Sequence, residues 1–190
     1  MSSTNRGYDR HISDYYVTPV SEIKKFWREF KAHNDISDTK CVLDPSSGGD
    51  SKHPMSYPEV LKDETFDLIT MDIREDSLSV LKGDYLKTEF DKPFDMIITN
   101  PPFSCAMQFL QKALNEVKDG GYVIMLLRLN FLGSKTRNEW LKNNMPYEIY
   151  VHGKRMSFTD DGKTDSIEYA HFVWKKGNTD TTKLYLLEFD

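Results

Sequence analysis

Cysteine is scarce: Cys41 and Cys105 are the two thiols in 190 residues, and their spacing suits neither a metal site nor a small disulfide-stapled fold. The sequence therefore argues against zinc and against an oxidised scaffold, and the thiols read as reduced and part-buried. No apolar run approaches the roughly 20 residues that cross a bilayer, so membrane insertion is not expected. The opening stretch MSSTNRGYDRHISDYY lacks the apolar centre of a secretory leader, and the expected location is cytoplasmic. No internal repeat, low-complexity tract or convincing linker interrupts the chain. A surplus of positive charge is missing too, since 25 Lys and Arg face 30 Asp and Glu for a net charge of −5.

What remains is ordinary globular material, 38% hydrophobic and 29% charged, enough for one core. The expectation is a single domain over residues 1–190, flexible in 1–13, with no separate target-recognition domain. The charge is polarised along the chain. Acidic residues gather between Asp44 and Asp95. Between Arg128 and Arg155 six bases (Arg128, Lys135, Arg137, Lys142, Lys154, Arg155) face two acids, Glu139 and Glu148, a local excess of four. Such a patch fits a surface that meets phosphate, although a merely solvated face has the same composition.

Apolar runs at Lys40–Asp44, Phe66–Asp72 and Phe94–Thr99 each end in a polar or turn residue, the pattern of buried parallel strands. Tyr122–Leu127 follows Asp119-Gly120-Gly121, which reads as a helix-ending turn, and gives a fourth strand. Helices are expected at Val20–His33, where Ile23, Phe26, Trp27 and Phe30 share a face, at Ser104–Lys118 and at Ser134–Asn143. Tyr147–Val151, Tyr169–Trp174 and Leu184–Phe189 complete seven strands. The fold class is α/β, a doubly wound, mostly parallel Rossmann-like sheet with an antiparallel hairpin near the C-terminus. Ligands bind such sheets beyond the carboxyl ends of the strands, where the strand order reverses.

The strongest chemical signal is Asn100-Pro101-Pro102-Phe103, directly after an apolar strand. An exocyclic amine such as adenine N6 is a poor nucleophile because its lone pair is delocalised into the ring. Two acceptors on its two N–H bonds draw the nitrogen toward tetrahedral geometry and localise that pair. The Asn100 side-chain carbonyl and the Pro101 backbone carbonyl can be those acceptors. Paired prolines fix φ and remove N–H groups, so the carbonyls keep one direction. Phe103 offers a flat face on which an extruded base can stack. The bland alternative is a stiff turn with Phe103 in the core.

Placed after a strand, NPPF resembles the fourth motif of the class I S-adenosylmethionine-dependent amino-methyltransferases, and further segments match that family in order. Val42–Asp50 (VLDPSSGGD) resembles their first motif, which implies that Asp44, Pro45, Ser46 and Gly48 hold the methionine end of the cofactor S-adenosyl-L-methionine. Asp72, with Ile73 after it, resembles the acidic residue that takes the ribose hydroxyls. Gly83-Asp84-Tyr85-Leu86 resembles the third motif, implying Asp84 and Tyr85 at the cofactor's adenine. Asp14–Pro19 resembles the N-terminal motif, implying Tyr16, Thr18 and Pro19 over the cofactor. Arg155-Met156-Ser157-Phe158 and the following strand resemble the closing hairpin of phage-type DNA N6-adenine methyltransferases. That resemblance implies Phe158 on the second face of the base, with Lys154, Arg155 and Arg128 near substrate. The resemblance covers roughly Asp14 to Trp174. Asp44, Asp72 and Asp84 are also ordinary helix caps or loop carboxylates, and Phe158 is also ordinary core.

Two departures stand out. Asp50 occupies a place where the family's loop has glycine, and it would repel the carboxylate of the cofactor. Pro54 and Pro58 follow, so the first helix after the loop is expected to be short, with His53, Met55 and Tyr57 either walling the cofactor pocket or filling a surface loop. The reaction expected is methyl transfer to adenine N6 in DNA, without metal or covalent intermediate. Adenine in RNA, a protein glutamine amide, and a non-catalytic cofactor- or DNA-binding relative are the alternatives. The expected partner is nucleic acid, DNA ahead of RNA, in a phage or restriction-modification setting. Fifteen residues separate Asp84 from Asn100, which leaves no room there for a recognition domain. Specificity is expected from Leu129–Lys142, from Lys154–Asp165, or from a homodimer or specificity partner.

Overall fold

The structure, a computed structural model, describes residues 17–158 and 167–189. Tyr16, the segment 1–13 and residues 159–166 of the second recognition loop lie outside the described residues. The strands are β1 (Cys41–Asp44), β2 (Asp67–Asp72), β3 (Leu81–Lys82), β4 (Phe94–Thr99), β5 (Val117–Arg128), β6 (Glu148–Val151), β7 (Tyr169–Lys175) and β8 (Lys183–Leu186). They form one sheet in the order β3-β2-β1-β4-β5-β7-β6-β8. β1, β2, β3, β4 and β5 pair in parallel, β7 runs against both β5 and β6, and β8 is parallel to β6. The described residues thus hold eight strands where the sequence suggested seven. The additional one is the two-residue edge strand β3.

Helices cover both faces. α1 (Val20–His33) buries Ile23, Phe26, Trp27 and Phe30 against Val42, Met96, Ile98, Ile124 and Val173. α3 (Ala106–Glu116) buries Phe109, Leu110 and Ala113 against Leu43, Ile97, Val123 and Phe172 on the other face. Both are amphipathic helices over a sheet whose central strands are apolar on both sides, so three layers close around two cores. α2 (Ser56–Leu61) is six residues long, as Pro54 and Pro58 dictate, and α4 (Lys135–Asn143) presents Leu141 to the α3 face.

The passage from α3 to β5 differs from expectation. The helix stops at Glu116, and Val117 already pairs with Phe94. The ladder shifts register between Phe94 and Met96, which draws Lys118–Gly121 into the strand instead of a free turn. Close backbone approach explains the glycine pair. A Cβ on Gly121 would lie 2.9 Å from the carbonyl oxygens of Asp95 and Lys118, while Gly120 takes φ 78°.

The chain winds from β1 outward to β2 and β3, then returns to place β4 and β5 on the other side of β1. The reversal between β1 and β4 is the switch point, so the loops after Asp44 and Thr99 face each other across one crevice.

Candidate active site

A cleft opens at that point. Its lining comes from the segment before α1 (Val17, Thr18), the loop after β1 (Ser46 to Gly49), α2 (Ser56, Tyr57), the end of β2 (Asp72 to Arg74) and the turn after β4 (Asn100, Pro102). The structure therefore brings together Thr18, Ser46, Gly48, Asp72, Ile73, Asn100 and Pro102 from the residues singled out by sequence. Pro45 is buried within the loop, and Pro19 precedes α1.

The β1 loop is held from β2. Asp72 Oδ2 accepts the Gly48 amide at 2.8 Å, and Met71 O accepts the Ser47 amide at 3.0 Å. Ser77 Oγ donates to Gly48 O at 2.6 Å, and Arg74 Nη2 donates to Gly49 O at 2.8 Å. Gly48 and Gly49 take positive φ values of 66° and 74°. A Cβ on Gly49 would come within 2.7 Å of Met55 Cγ, so glycine is needed for packing as well as for φ. Asp72 Oδ1 accepts the Arg74 amide at 2.8 Å and lies 3.4 Å from Arg74 Nε. Asp72 is thus first a clasp for the loop, with lone pairs still available for a ligand.

Asp44 is fully buried. Its Oδ1 accepts the Ser46 amide at 3.2 Å, while Oδ2 has no partner. Burial pushes its carboxyl up to about 7. Asp50 behaves in the opposite way. Its carboxylate accepts the Lys52 and His53 amides at 2.7 and 2.9 Å and lies 3.1 Å from His53 Nδ1. These contacts, the Lys52 amide first, hold it at about 2. Asp50 caps its own turn with His53 and is not among the residues lining the cleft.

The turn after β4 carries the sharpest feature. Asn100 Nδ2 donates to Thr18 Oγ1 at 2.9 Å, and Thr18 is buried. Asn100 Oδ1 is buried with no partner. Pro102 O accepts the Cys105 amide at 3.1 Å, which closes the turn on the carbonyl after that of Pro101.

Phe103 sits beside this turn in an aromatic cluster instead of lining the main cleft. Its ring lies 5.8 Å from Tyr169, and the Arg128 guanidinium covers it at 4.7 Å. Phe158 meets Tyr169 edge-on at 4.9 Å, with Met156 and Leu126 behind. Phe103 and Phe158 therefore share Tyr169 as a common neighbour. Lys154 and Arg155 are exposed, and Arg155 lies within 3.4 Å of Glu168.

Two expected cofactor residues, Asp84 and Tyr85, are not among the residues lining the cleft. Asp84 caps a 3₁₀ turn, accepting the Leu86 amide at 3.0 Å and lying 3.1 Å from Lys87 Nζ. Tyr85 is buried against Phe109 and donates to Glu116 Oε2 at 2.6 Å, on the α3 side of the sheet. The side chain of Tyr85 thus serves the core, because the turn directs it beneath the sheet and Glu116 supplies its hydroxyl with an acceptor.

Several residues at the site had no sequence signal. Arg74 and Ser77 follow β2 in a stretch with no motif. Tyr169 looks like any strand aromatic. His152 and His171 are separated by a loop and become partners only through β6–β7 pairing, with Nε2 of His152 2.8 Å from Nδ1 of His171.

No protein-family model matches this chain, and no curated protein matches it in sequence. Solved structures do match in shape. A putative class I S-adenosylmethionine-dependent methyltransferase from Listeria monocytogenes superposes with a TM-score of 0.63 at 15% identity, over 90% of this chain and 65% of its own. The methyltransferase subunit of a type I restriction-modification system from Streptococcus thermophilus gives 0.62 at 15%, over 87% of this chain and 46% of its own. A putative RNA methyltransferase from Pyrococcus horikoshii gives 0.62 at 18%, over 92% and 94%. The fold is that of the class I S-adenosylmethionine-dependent methyltransferases. The chain spans about two thirds of the Listeria protein's length and under half of the restriction-modification subunit's.

Proposed function

We propose that this chain transfers the methyl group of S-adenosylmethionine to an exocyclic amino group, with adenine N6 in DNA as the leading target. The observation that carries the reading is the Asn100 amide, whose nitrogen is held by Thr18 and whose buried oxygen lacks a donor. A buried acceptor left without a donor costs about 1–3 kcal/mol, and a substrate N–H would satisfy it. The residues present fit the cofactor. A glycine loop clasped open by Asp72 offers backbone to a ligand, and the unpartnered Asp44 Oδ2 suits a cationic one.

When bound, S-adenosylmethionine supplies an electrophilic methyl group on a sulfonium. The chain's own contribution is placement. Asn100 Oδ1 and Pro101 O accept the two N–H bonds of the amine, localise its lone pair and stabilise the positive charge that grows on nitrogen. Thr18 keeps the amide from turning. Phe103 supplies a face for the base once Arg128 moves from it. Asp72 and Ile73 are assigned to the cofactor's nucleoside, and Ser46 and Gly48 to its methionine end. Lys154, Arg155 and Arg128 are assigned to phosphate, with DNA and a specificity partner or second copy as the partners of a cytoplasmic enzyme. No described helix is long and apolar enough to cross a membrane.

A second reading, adenine in RNA, is favoured by the one neighbour above that this chain matches almost end to end, which is described as a putative RNA methyltransferase. The test is to incubate the protein with methyl-labelled cofactor and unmethylated DNA, RNA and protein pools, and to identify the labelled product by mass spectrometry. N6-methyladenine in DNA is expected; label in RNA or glutamine selects another substrate, and no label in any pool ends the reading. Asn100→Ala should abolish turnover while cofactor affinity, measured by calorimetry, stays within a few-fold.

A further inference from the structure

A chain of buried polar groups runs from the cleft to the surface of α1 and has no part in the reading above. Tyr57, which lines the cleft, places its hydroxyl 2.9 Å from His171 Nε2. His171 Nδ1 lies 2.8 Å from His152 Nε2, and His152 Nδ1 lies 3.1 Å from Glu22 Oε2. The far oxygen of Glu22 meets Lys25 Nζ at 3.2 Å near solvent. All four members are 5% exposed or less. Phe26 stacks on His171 at 3.9 Å and seals the chain from the α1 side.

The chemistry of these groups fixes the direction of the chain. The bond from His152 holds the Glu22 carboxyl below its ordinary range, so it is ionised and accepts only. Burial pulls both histidines down, His171 furthest, so both are neutral. Neutral His152 must then place its proton on Nδ1, facing Glu22, which leaves Nε2 as an acceptor. His171 therefore carries its proton on Nδ1, facing His152, and its Nε2 accepts from Tyr57. Every donor points away from the cleft. The Tyr57 oxygen keeps only lone pairs for a further partner.

We infer that Tyr57 is a recognition residue for the protonated α-amino group of the cofactor, and that His171, His152 and Glu22 are positioning residues that keep its hydroxyl an acceptor. A second observation favours positive charge near this hydroxyl: Asp44, fully buried at the end of β1 and outside the cleft lining, acts electrostatically on Tyr57 and has a carboxylate oxygen with no partner. Tyr57 stands on α2, which follows the glycine loop, the end of the cleft assigned to the methionine portion. The inference rests on the cofactor reading. It also carries a consequence for pH. A proton added to His152 gives it a second N–H, which donates to His171 Nδ1. His171 must then carry its proton on Nε2 and donate to Tyr57, whose hydroxyl turns from acceptor to donor. Among the described residues, Lys25 and Glu22 on α1, Tyr57 on α2, Asp44 on β1 and His171 on β7 are charged or titratable groups facing this path.

The test compares two probes by calorimetry on the full chain, S-adenosylhomocysteine and its analogue with hydrogen in place of the α-amino group. Tyr57→Phe should weaken S-adenosylhomocysteine by roughly tenfold to a hundredfold, the range for a hydrogen bond to a charged group, and leave the deaminated probe within about twofold. The fall in S-adenosylhomocysteine affinity toward acid pH should be steeper for wild type than for Tyr57→Phe, because Asp44 titrates in both proteins and only wild type has the His152 switch. Glu22→Gln, which leaves the cleft lining intact, should likewise weaken S-adenosylhomocysteine more than the deaminated probe. Equal losses for both probes, or no loss for either, overturn the inference. A wild-type protein that binds neither probe overturns the cofactor reading itself.

Discussion

Asp44 offers a measurement that needs no ligand. Its side chain is fully buried at the end of β1, with one oxygen on the Ser46 amide and the other unpartnered. Burial raises the carboxyl from 3.8 to about 7, and the nearby Thr99 hydroxyl, which falls short of hydrogen-bond geometry, and the Ser46 amide offset only part of it. A group that holds its proton more tightly when folded destabilises the fold once pH exceeds the unfolded value. The cost is absent below about pH 4, grows through the interval between the two values and is complete above about pH 7. A difference of about three units at 1.36 kcal/mol each places the full cost near 4 kcal/mol. Asparagine keeps the shape and the acceptor for Ser46 without the charge. Asp44→Asn should therefore stabilise the ligand-free protein by up to about 4 kcal/mol at pH 8, and by about 1–2 kcal/mol at pH 5. For a chain of this length that is on the order of 10 °C in melting temperature at pH 8. Urea or thermal unfolding of both proteins at the two pH values checks it. The relay histidines and Glu22 titrate in both proteins and cancel in the difference. A gap independent of pH, or a wild type more stable at pH 8, would refute the assignment of a buried, uncompensated carboxylate.

Phe103→Ala should weaken nucleic-acid binding by about 1–3 kcal/mol through the lost stacking face, measured by anisotropy with single-stranded and duplex probes; unchanged binding removes Phe103 from the interface. Neutralising Lys154 and Arg155 together should flatten the dependence of log affinity on log salt. Lys154 should carry the larger share, because Arg155 already lies 3.4 Å from Glu168. An unchanged slope assigns both residues to solvent.

The doubly wound sheet was legible because its signals are local. Val42-Leu43, Ile97-Ile98 and Val123 to Leu127 are apolar runs that only a strand covered on both faces can use, and α1 follows its three- and four-residue spacing to the residue. The end of α3 was misplaced because Lys118–Gly121 carries turn residues, and only the position of Asp95 on the neighbouring strand reveals that these glycines lie in a ladder. In the site, Thr18, Asp72 and Asn100 were visible as motif positions, yet the roles that geometry gives them were not. Asp72 clasps the loop and Thr18 orients the Asn100 amide, and both depend on distances across 24 and 82 residues of sequence. Tyr85 shows the limit from the other side: a motif position names a residue, and not whether its side chain or its backbone faces a ligand, and here the side chain packs on Phe109 and Glu116.

Asp50 is where this separation between position and direction matters most. In sequence it reads as a defect, a carboxylate in a loop meant for an anionic cofactor end. In space the Lys52 and His53 amides, with the His53 ring, hold the carboxylate on its own turn and stabilise its charge there. Beside the glycine loop, Asp72 stands against Arg74, whose guanidinium lies 3.4 Å from Asp72 and donates to Gly49 O. A zwitterion needs both signs at that end. On the proposed cofactor placement, Tyr57 serves the ammonium and the loop amides with Arg74 the carboxylate, and Asp50, held on its own turn outside the cleft lining, does not oppose it.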